Sequence, residues 1–175
     1  MNSIERFKYC PVCGSPHFEP TSEKSLRCEV CGFEYFMNAS AANVALIINE
    51  REELLVTRRN REPAKGTLDM PGGFADAYET AEEGVVREVM EETGLEVTQC
   101  QYLFSIPNCY NYSGIDIPTL DMFFRCHVRD VGALHAADDA AEAFWIPIRE
   151  VDPSQIGLRS IREGVKRFIT FYTLQ

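Results

Sequence analysis

The sequence predicts an α+β protein: a mixed β-sheet flanked by helices, preceded by a small cysteine-ligated module. Three observations predict it. Two CxxC pairs lie close together near the start, apolar runs of strand length follow one another after residue 40, and one well-capped helix interrupts those runs. The resulting order, β-β-loop-α-β-β-β-α, is that of an α+β domain. The division is placed at residue 38, giving a module over 1–38 and a larger domain over 39–175.

Cys10-Pro-Val-Cys13-Gly14 and Cys28-Glu-Val-Cys31-Gly32 are separated by fourteen residues. Two residues between cysteines let both sulfurs turn toward one ion, and the glycine that follows tolerates the tight backbone this needs. Four thiolates fill a tetrahedral Zn²⁺ shell with no open position, so the site is expected to be structural. A rubredoxin-like iron site uses similar ligands. The intervening segment, 15–27, has few apolar residues, so metal binding is expected to supply its folding free energy. Cys100, Cys109 and Cys126 are scattered and read as ordinary thiols.

After Ser40 the pattern changes. Residues 43–48 read as an apolar strand, 49–52 as a turn, and 54–57 as the returning strand. The stretch NREPAKGTLDMPGG reads as loop with room for one short strand. Thr80-Ala-Glu-Glu83 fits a capping box, and Gly94 fits the left-handed position after a helix end. The helix between them is given an apolar stripe of Ala81, Val85, Val89 and Met90. Gly84 inside it costs about 1 kcal/mol relative to alanine, which signals a close backbone approach. Beyond it, 96–104, 120–128 and 144–147 read as strands, 106–119 as a long tyrosine-bearing loop or hairpin, and Leu158, Ile161, Val165, Phe168 and Ile169 as the buried face of a closing helix.

The chain has 175 residues and a formal net charge of −10. Such a charge repels nucleic acid and anionic membranes, and an anionic substrate would need a positive bridge. No apolar run approaches the ~20 residues that span a bilayer, and MNSIERFKYC lacks the apolar core of a secretory signal. The expectation is a cytoplasmic protein without membrane contact.

The sharpest anomaly is the charge of residues 72–95, with six glutamates and one aspartate against Arg87 alone. Glu88, Glu91 and Glu92 stand at i, i+3 and i+4 and share a helix face. Like charges there repel, and their place late in the helix opposes its dipole. A doubly unfavourable arrangement is expected where function demands it. Hard oxygen ligands at this spacing suit Mg²⁺ or Mn²⁺. Glu82 and Glu83, in the first turn, read as capping and solvation.

Gly73, five residues, Glu79, seven residues, Arg87-Glu88-Val89, one residue, Glu91-Glu92, one residue, Gly94-Leu95 resembles the Nudix box at every fixed position. The chain from about Ser40 onward therefore looks like a Nudix hydrolase. The CxxC pairs ahead of it resemble the zinc ribbon of the NADH pyrophosphatase branch. The resemblance implies the Nudix fold, an α/β/α sandwich, and hydrolysis of a nucleoside diphosphate linked to another moiety. It implies Glu88, Glu91 and Glu92 as Mg²⁺ or Mn²⁺ ligands with the Gly73 carbonyl a further candidate, and Arg87 and Glu79 as braces. Glu142, in Glu142-Ala-Phe-Trp145, is the candidate glutamate beyond the box. Either Glu88 or Glu142 is the candidate general base. The NADH branch signature SQPWPFPxS is absent; the region reads SIPNCYNYSGIDIP. Tyr110 and Tyr112 are candidates for stacking on a base, with packing against the cysteine module as the other reading, and Arg58 and Arg59 for gripping phosphate, with a solvated strand end as the other reading. The competing class is a nucleotide-sensing regulatory protein without hydrolysis. Related ribbons also imply a homodimer.

Overall fold

The computed structural model describes residues 3–137 and 140–173. By their contacts these form two units, Met1–Ala39 with Cys109–Pro118, and Ser40–Asn108 with Thr119–Gln175. A division at residue 38 leaves 109–118 in the larger domain, whereas here that segment groups with the cysteine-bearing unit, as packing of Tyr110 and Tyr112 against that module would require.

That first unit is built on a three-stranded antiparallel sheet, β1 (Phe18–Ser22), β2 (Ser25–Cys28) and β3 (Glu34–Phe36). Its core is small: Ile4, Cys10, Phe18, Leu26 and Cys28 are buried, with Phe7, Phe33, Tyr35 and Met37 packed around them. Two of those five core residues are candidate metal ligands, so little apolar burial stands behind the fold of this unit.

The second unit begins with β4 (Ser40–Ile47) and β5 (Glu53–Arg59), followed by the short β6 (Leu68–Asp69) and helix α1 (Ala81–Thr93). Then come β7 (Val97–Tyr112), β8 (Ile115–Val128), β9 (Ala140–Pro147) and helix α2 (Arg159–Thr173). The strands form two three-stranded sheets, β4-β8-β7 and β6-β5-β9. One mixed sheet was expected; here the mixed character lies in the first, where β4 runs parallel to β8. β4 and β5 are not paired as a ladder: just past the end of β4, Ile48 bridges to Leu54, and Asn49 N–H bonds to the Glu53 carbonyl. The physical reason is that the other edge of β4 is taken: Asn43 and Ala45 donate backbone N–H groups to Gly73 and Pro71 carbonyls at 2.7 and 2.8 Å.

Alternation along the strands divides the core. Val44 and Leu46 of β4, Leu54 and Val56 of β5 and Phe123 of β8 join Ile161, Val165 and Phe168 of α2. Ala45, Ile47, Leu55 and Phe124 instead join Val85 and Val89 of α1. Successive strand residues point to opposite faces, so the nearly continuous apolar run of β4 feeds a helix on each side. This is the expected α/β/α arrangement. Met90, assigned to the buried stripe, is 44 % exposed, because one residue past Val89 is a rotation of about 100° around the helix. The segment 106–119 is a hairpin rather than a loop. Ser113 (φ 51°) and Gly114 (φ 77°) both take positive φ between two long strands, the geometry of a type I′ turn.

Candidate active site

The site is seated by the segment between β6 and α1. Pro71, Gly73 and Ala75 are hydrogen-bonded along β4, the last through Ala75 N–H to the Ala41 carbonyl at 3.1 Å. α1 then starts with the expected capping box. Thr80 Oγ1 accepts from Glu83 N at 3.1 Å, and the Glu83 carboxylate accepts from Thr80 N at 2.8 Å. Gly94 closes the helix at φ 66°.

Arg87 is the hub. Its guanidinium donates to Glu79 at 2.7 and 3.1 Å, to Glu88 at 2.9 Å, to Glu91 at 2.9 Å and to the Phe74 carbonyl at 3.2 Å. One cation thus hydrogen-bonds three carboxylates, with Asp76 a fourth at 3.7 Å, more of the acidic cluster than the sequence suggested. Glu79 lies outside the helix, and only the folded loop brings it to Arg87. The bonds to Glu79, then those to Glu88 and Glu91, push the Arg87 pKa up. In turn Arg87, with the Asp76 N–H, holds the Glu79 carboxyl below its usual range. Glu88 runs the other way: burial raises its pKa against the opposing pull of Arg87.

Glu92 is buried and accepts a hydrogen bond from Gly72 N–H at 3.1 Å. At Gly73 an added Cβ would lie 2.6–2.8 Å from the Glu88 carboxylate and would displace it from its place beside Arg87. The Gly73 carbonyl accepts from Asn43 N–H, which leaves one lone pair for another partner. Carboxylates of Glu88, Glu91 and Glu92 on one helix face, with this carbonyl at the cradle, form a donor set suited to Mg²⁺ or Mn²⁺. Among the described residues only the four cysteines have donor atoms all within 4.8 Å of one another. Here the glutamates are instead held by Arg87 and Gly72.

Asn43 was missed by sequence reading. Its side-chain amide is buried with neither polar atom hydrogen-bonded. A Cβ on Gly84 would collide with Asn43 Nδ2 and lie 2.8 Å from Glu79 Oε1. The close approach that Gly84 signalled is therefore to side chains rather than to backbone. At the other end of α1, Thr93 and Glu92 carbonyls accept from His135 and Ala137 N–H groups at 3.1 and 3.0 Å.

Other sequence candidates fall in different surroundings. Glu142 on β9 is paired in register with Arg58 on β5, and their side chains form an ion pair at 2.8 Å. Arg59 is turned inward, to buried Asp69 and, at 2.8 Å, to the Pro63 carbonyl, so neither a solvated strand end nor a free phosphate grip describes it. Tyr110 and Tyr112 lie in the hairpin segment that belongs with the cysteine unit.

In that unit the thiols converge as the spacing implied. Cys10 and Cys31 sulfurs are 3.6 Å apart, as are those of Cys13 and Cys28. A tetrahedral zinc site with Zn–S of about 2.3 Å has S···S edges of about 3.8 Å, so the donor set fits. Each CxxC knuckle turns on a glycine of positive φ, Gly14 and Gly32, whose N–H returns to the carbonyl of the first cysteine. The backbone N–H of Cys31 draws the Cys28 thiol down to about 6, while the thiols of Cys13 and Cys31 beside it are raised, so the four sulfurs share their protons unevenly.

The fold and the braced acidic helix define a class: Nudix-type α/β/α domains with an intact box. The NUDIX domain matches residues 37–168, and the chain belongs to that family. Among curated relatives, the "NAD-capped RNA hydrolase NudC" of Pseudomonas putida (strain W619) is 28% identical over 156 residues, which is 88% of this chain and 52% of that protein. The protein of the same name from Stutzerimonas stutzeri is 30% identical over 102 residues, 58% of this chain and 36% of the other. The chain thus spans about half or less of these relatives' length. A solved NUDIX hydrolase from Nitrosomonas europaea superposes with a TM-score of 0.73 at 21% identity, covering 94% of this chain and 91% of that one. The NUDIX domain of Shewanella oneidensis NrtR, solved with ADP ribose, gives 0.62 at 18% identity, covering 80% and 91%. These two structures establish a shared fold.

Proposed function

We propose that the chain is a divalent-metal-dependent pyrophosphohydrolase that cleaves the phosphoanhydride bond of a nucleoside diphosphate linked to another moiety. The observation that carries this reading is the set of carboxylates Glu88, Glu91 and Glu92 on one face of α1, two of them braced by Arg87. Mg²⁺ or Mn²⁺ held by these three and the Gly73 carbonyl would neutralise the diphosphate and lower the pKa of an attacking water. Arg87 fixes Glu88 and Glu91 from one side, and its own position is fixed by Glu79. Glu88, whose pKa is raised by burial, and Glu142 are the two candidates for taking the proton from that water. Arg58 is the phosphate-gripping candidate, since its partner Glu142 is exposed and a diphosphate can compete for its guanidinium. Tyr110 and Tyr112 remain candidates for contact with a base, and Cys10, Cys13, Cys28 and Cys31 for a structural Zn²⁺. A homodimer joined through the ribbon belongs to the same reading.

Substrate class follows from chemistry and kinship together. The curated relatives' name concerns NAD-capped RNA, so a dinucleotide carried on an RNA end belongs beside free dinucleotides, despite the acidic charge that argued against nucleic acid. The test is a panel with Mg²⁺ or Mn²⁺: NADH, ADP-ribose, FAD, diadenosine polyphosphates, (d)NTPs and NAD-capped RNA, scored by products. Glu91→Gln and Glu92→Gln are expected to lower kcat by at least about 100-fold with unchanged circular dichroism. Full activity in either refutes the ligand assignment. Binding without turnover across the panel would favour the sensor class instead.

A further inference from the structure

The segment joining the seat of the site to α1 carries an aromatic side chain that the fold itself does not use. Residues 76–79 form a turn closed by Glu79 N–H to the Asp76 carbonyl at 3.5 Å. Tyr78 is its third residue, with φ 73°. This is the position and φ of a type II turn at which glycine is favoured, because a Cβ there crowds the backbone. For a bulky residue positive φ is an outlier. The tyrosine is also fully exposed, so no packing within the chain repays that conformation.

What surrounds it is fixed. Phe74, before the turn, offers its carbonyl to Arg87, and its ring is 42 % exposed. Asp76 lies 3.7 Å from Arg87, and Glu79, next to Tyr78, takes two hydrogen bonds from it. The turn is therefore tied on both sides to the guanidinium that braces Glu88 and Glu91. A strained backbone is held in place, and it presents a planar aromatic ring to solvent. A conformation disfavoured locally and unrepaid by packing persists where surrounding structure imposes it, and such places concentrate at ligand clamps.

We infer that Tyr78 is a specificity-determining residue that stacks on a nucleobase of the substrate. The inference rests on the proposed reading of the site as a nucleotide diphosphate site, and it adds the element that reads the base. Stacking accepts any planar base because every base has a π-face. Tyr78 thus favours substrates with a base at the scissile end over those with a sugar phosphate alone.

The test uses the full chain with Mg²⁺ and two probes that contain no phosphoanhydride, AMP and ribose 5-phosphate, titrated into wild type, Tyr78→Phe and Tyr78→Gly. Tyr78→Gly removes the ring while relieving the backbone, so its Tm should not fall. The expected result is a loss of AMP affinity of about fivefold or more in Tyr78→Gly. Tyr78→Phe should stay within about twofold, and ribose 5-phosphate binding should be equal in all three. AMP affinity unchanged in Tyr78→Gly, equal losses for both probes, or no AMP binding by wild type overturns the assignment. Because neither probe is hydrolysed, the result is independent of the turnover panel. Failure of hydrolysis and failure of base stacking are read in separate experiments.

Discussion

Gly84→Ala sets two effects of opposite sign against each other. At an open position inside a helix, alanine in place of glycine stabilises by about 1 kcal/mol. At Gly84 the added Cβ would meet Asn43 Nδ2 and lie 2.8 Å from Glu79 Oε1. Asn43 is buried on β4, its amide facing Gly84 of α1, and Glu79 is held by Arg87, so neither can swing clear without breaking other contacts. Overpacking of this kind costs about 1–3 kcal/mol. Taking about 2 kcal/mol for it, the net change is a destabilisation of about 1 kcal/mol, or a Tm lower by about 2–4 °C. The partner variant isolates the cause. Asn43→Ala removes an amide with no hydrogen bond, so it should itself cost little. In that background Gly84→Ala has most of its room and should stabilise, a coupling of about 2 kcal/mol. Urea unfolding of the four proteins, followed by circular dichroism at saturating Zn²⁺, measures it. A Gly84→Ala single variant more stable than wild type by about 1 kcal/mol refutes the collision.

Other features of the same chain give measurable outcomes. Thr80→Ala should cost about 1 kcal/mol through loss of the N-cap. Thr80 N–H lowers the Glu83 pKa below its usual 4.5, so the stabilisation from that carboxylate is present above pH 4.5 and lost as pH falls through the lowered value; Glu83→Gln should flatten that part of the stability profile. Purified protein should carry one Zn²⁺ per chain by elemental analysis, and Cys13→Ser should abolish it. Loss of the ion should open residues 10–34 to proteolysis, since among the described residues only five hydrophobic side chains form that unit's buried core. Resistance to proteolysis without the ion would show that the apolar core suffices.

What could be read from sequence divides along the range of the interactions. The capping box, the Gly94 terminus and the CxxC knuckles depend on residues within a few positions of one another, and each stands where the spacing put it. The parallel pairing of β4 with β8 joins Ser40 to Thr119, and no local pattern reports so distant a partner. The hairpin was half legible. Its Ser-Gly turn is short, and Pro107, Asn108 and Asn111 around it carry the composition of a loop. At the site, Arg87 with Glu88 and Glu91 is a matter of helical neighbours, whereas Glu79 reaches Arg87 only because residues 71–75 are hydrogen-bonded along β4. Asn43 stands forty-one positions before Gly84. The glycine was a visible sign of crowding, but the side chain responsible could not be named from it. Arg59 and Asp69 show the converse, since a pair of adjacent arginines reads alike in sequence while the fold turns one inward.

Helices usually fray at their last turn, where carbonyls lose their partners to water. The last turn of α1 holds Glu91 and Glu92, and its Glu92 and Thr93 carbonyls are engaged by the backbone of residues 135–137. Opening this end therefore means breaking contacts with a segment more than forty positions downstream, so hydrogen exchange at the helix end should depend on that segment as well as on the helix. A cation taken up at the proposed site would then meet carboxylates whose backbone is already ordered, and little of its binding energy would be diverted to folding the residues that receive it.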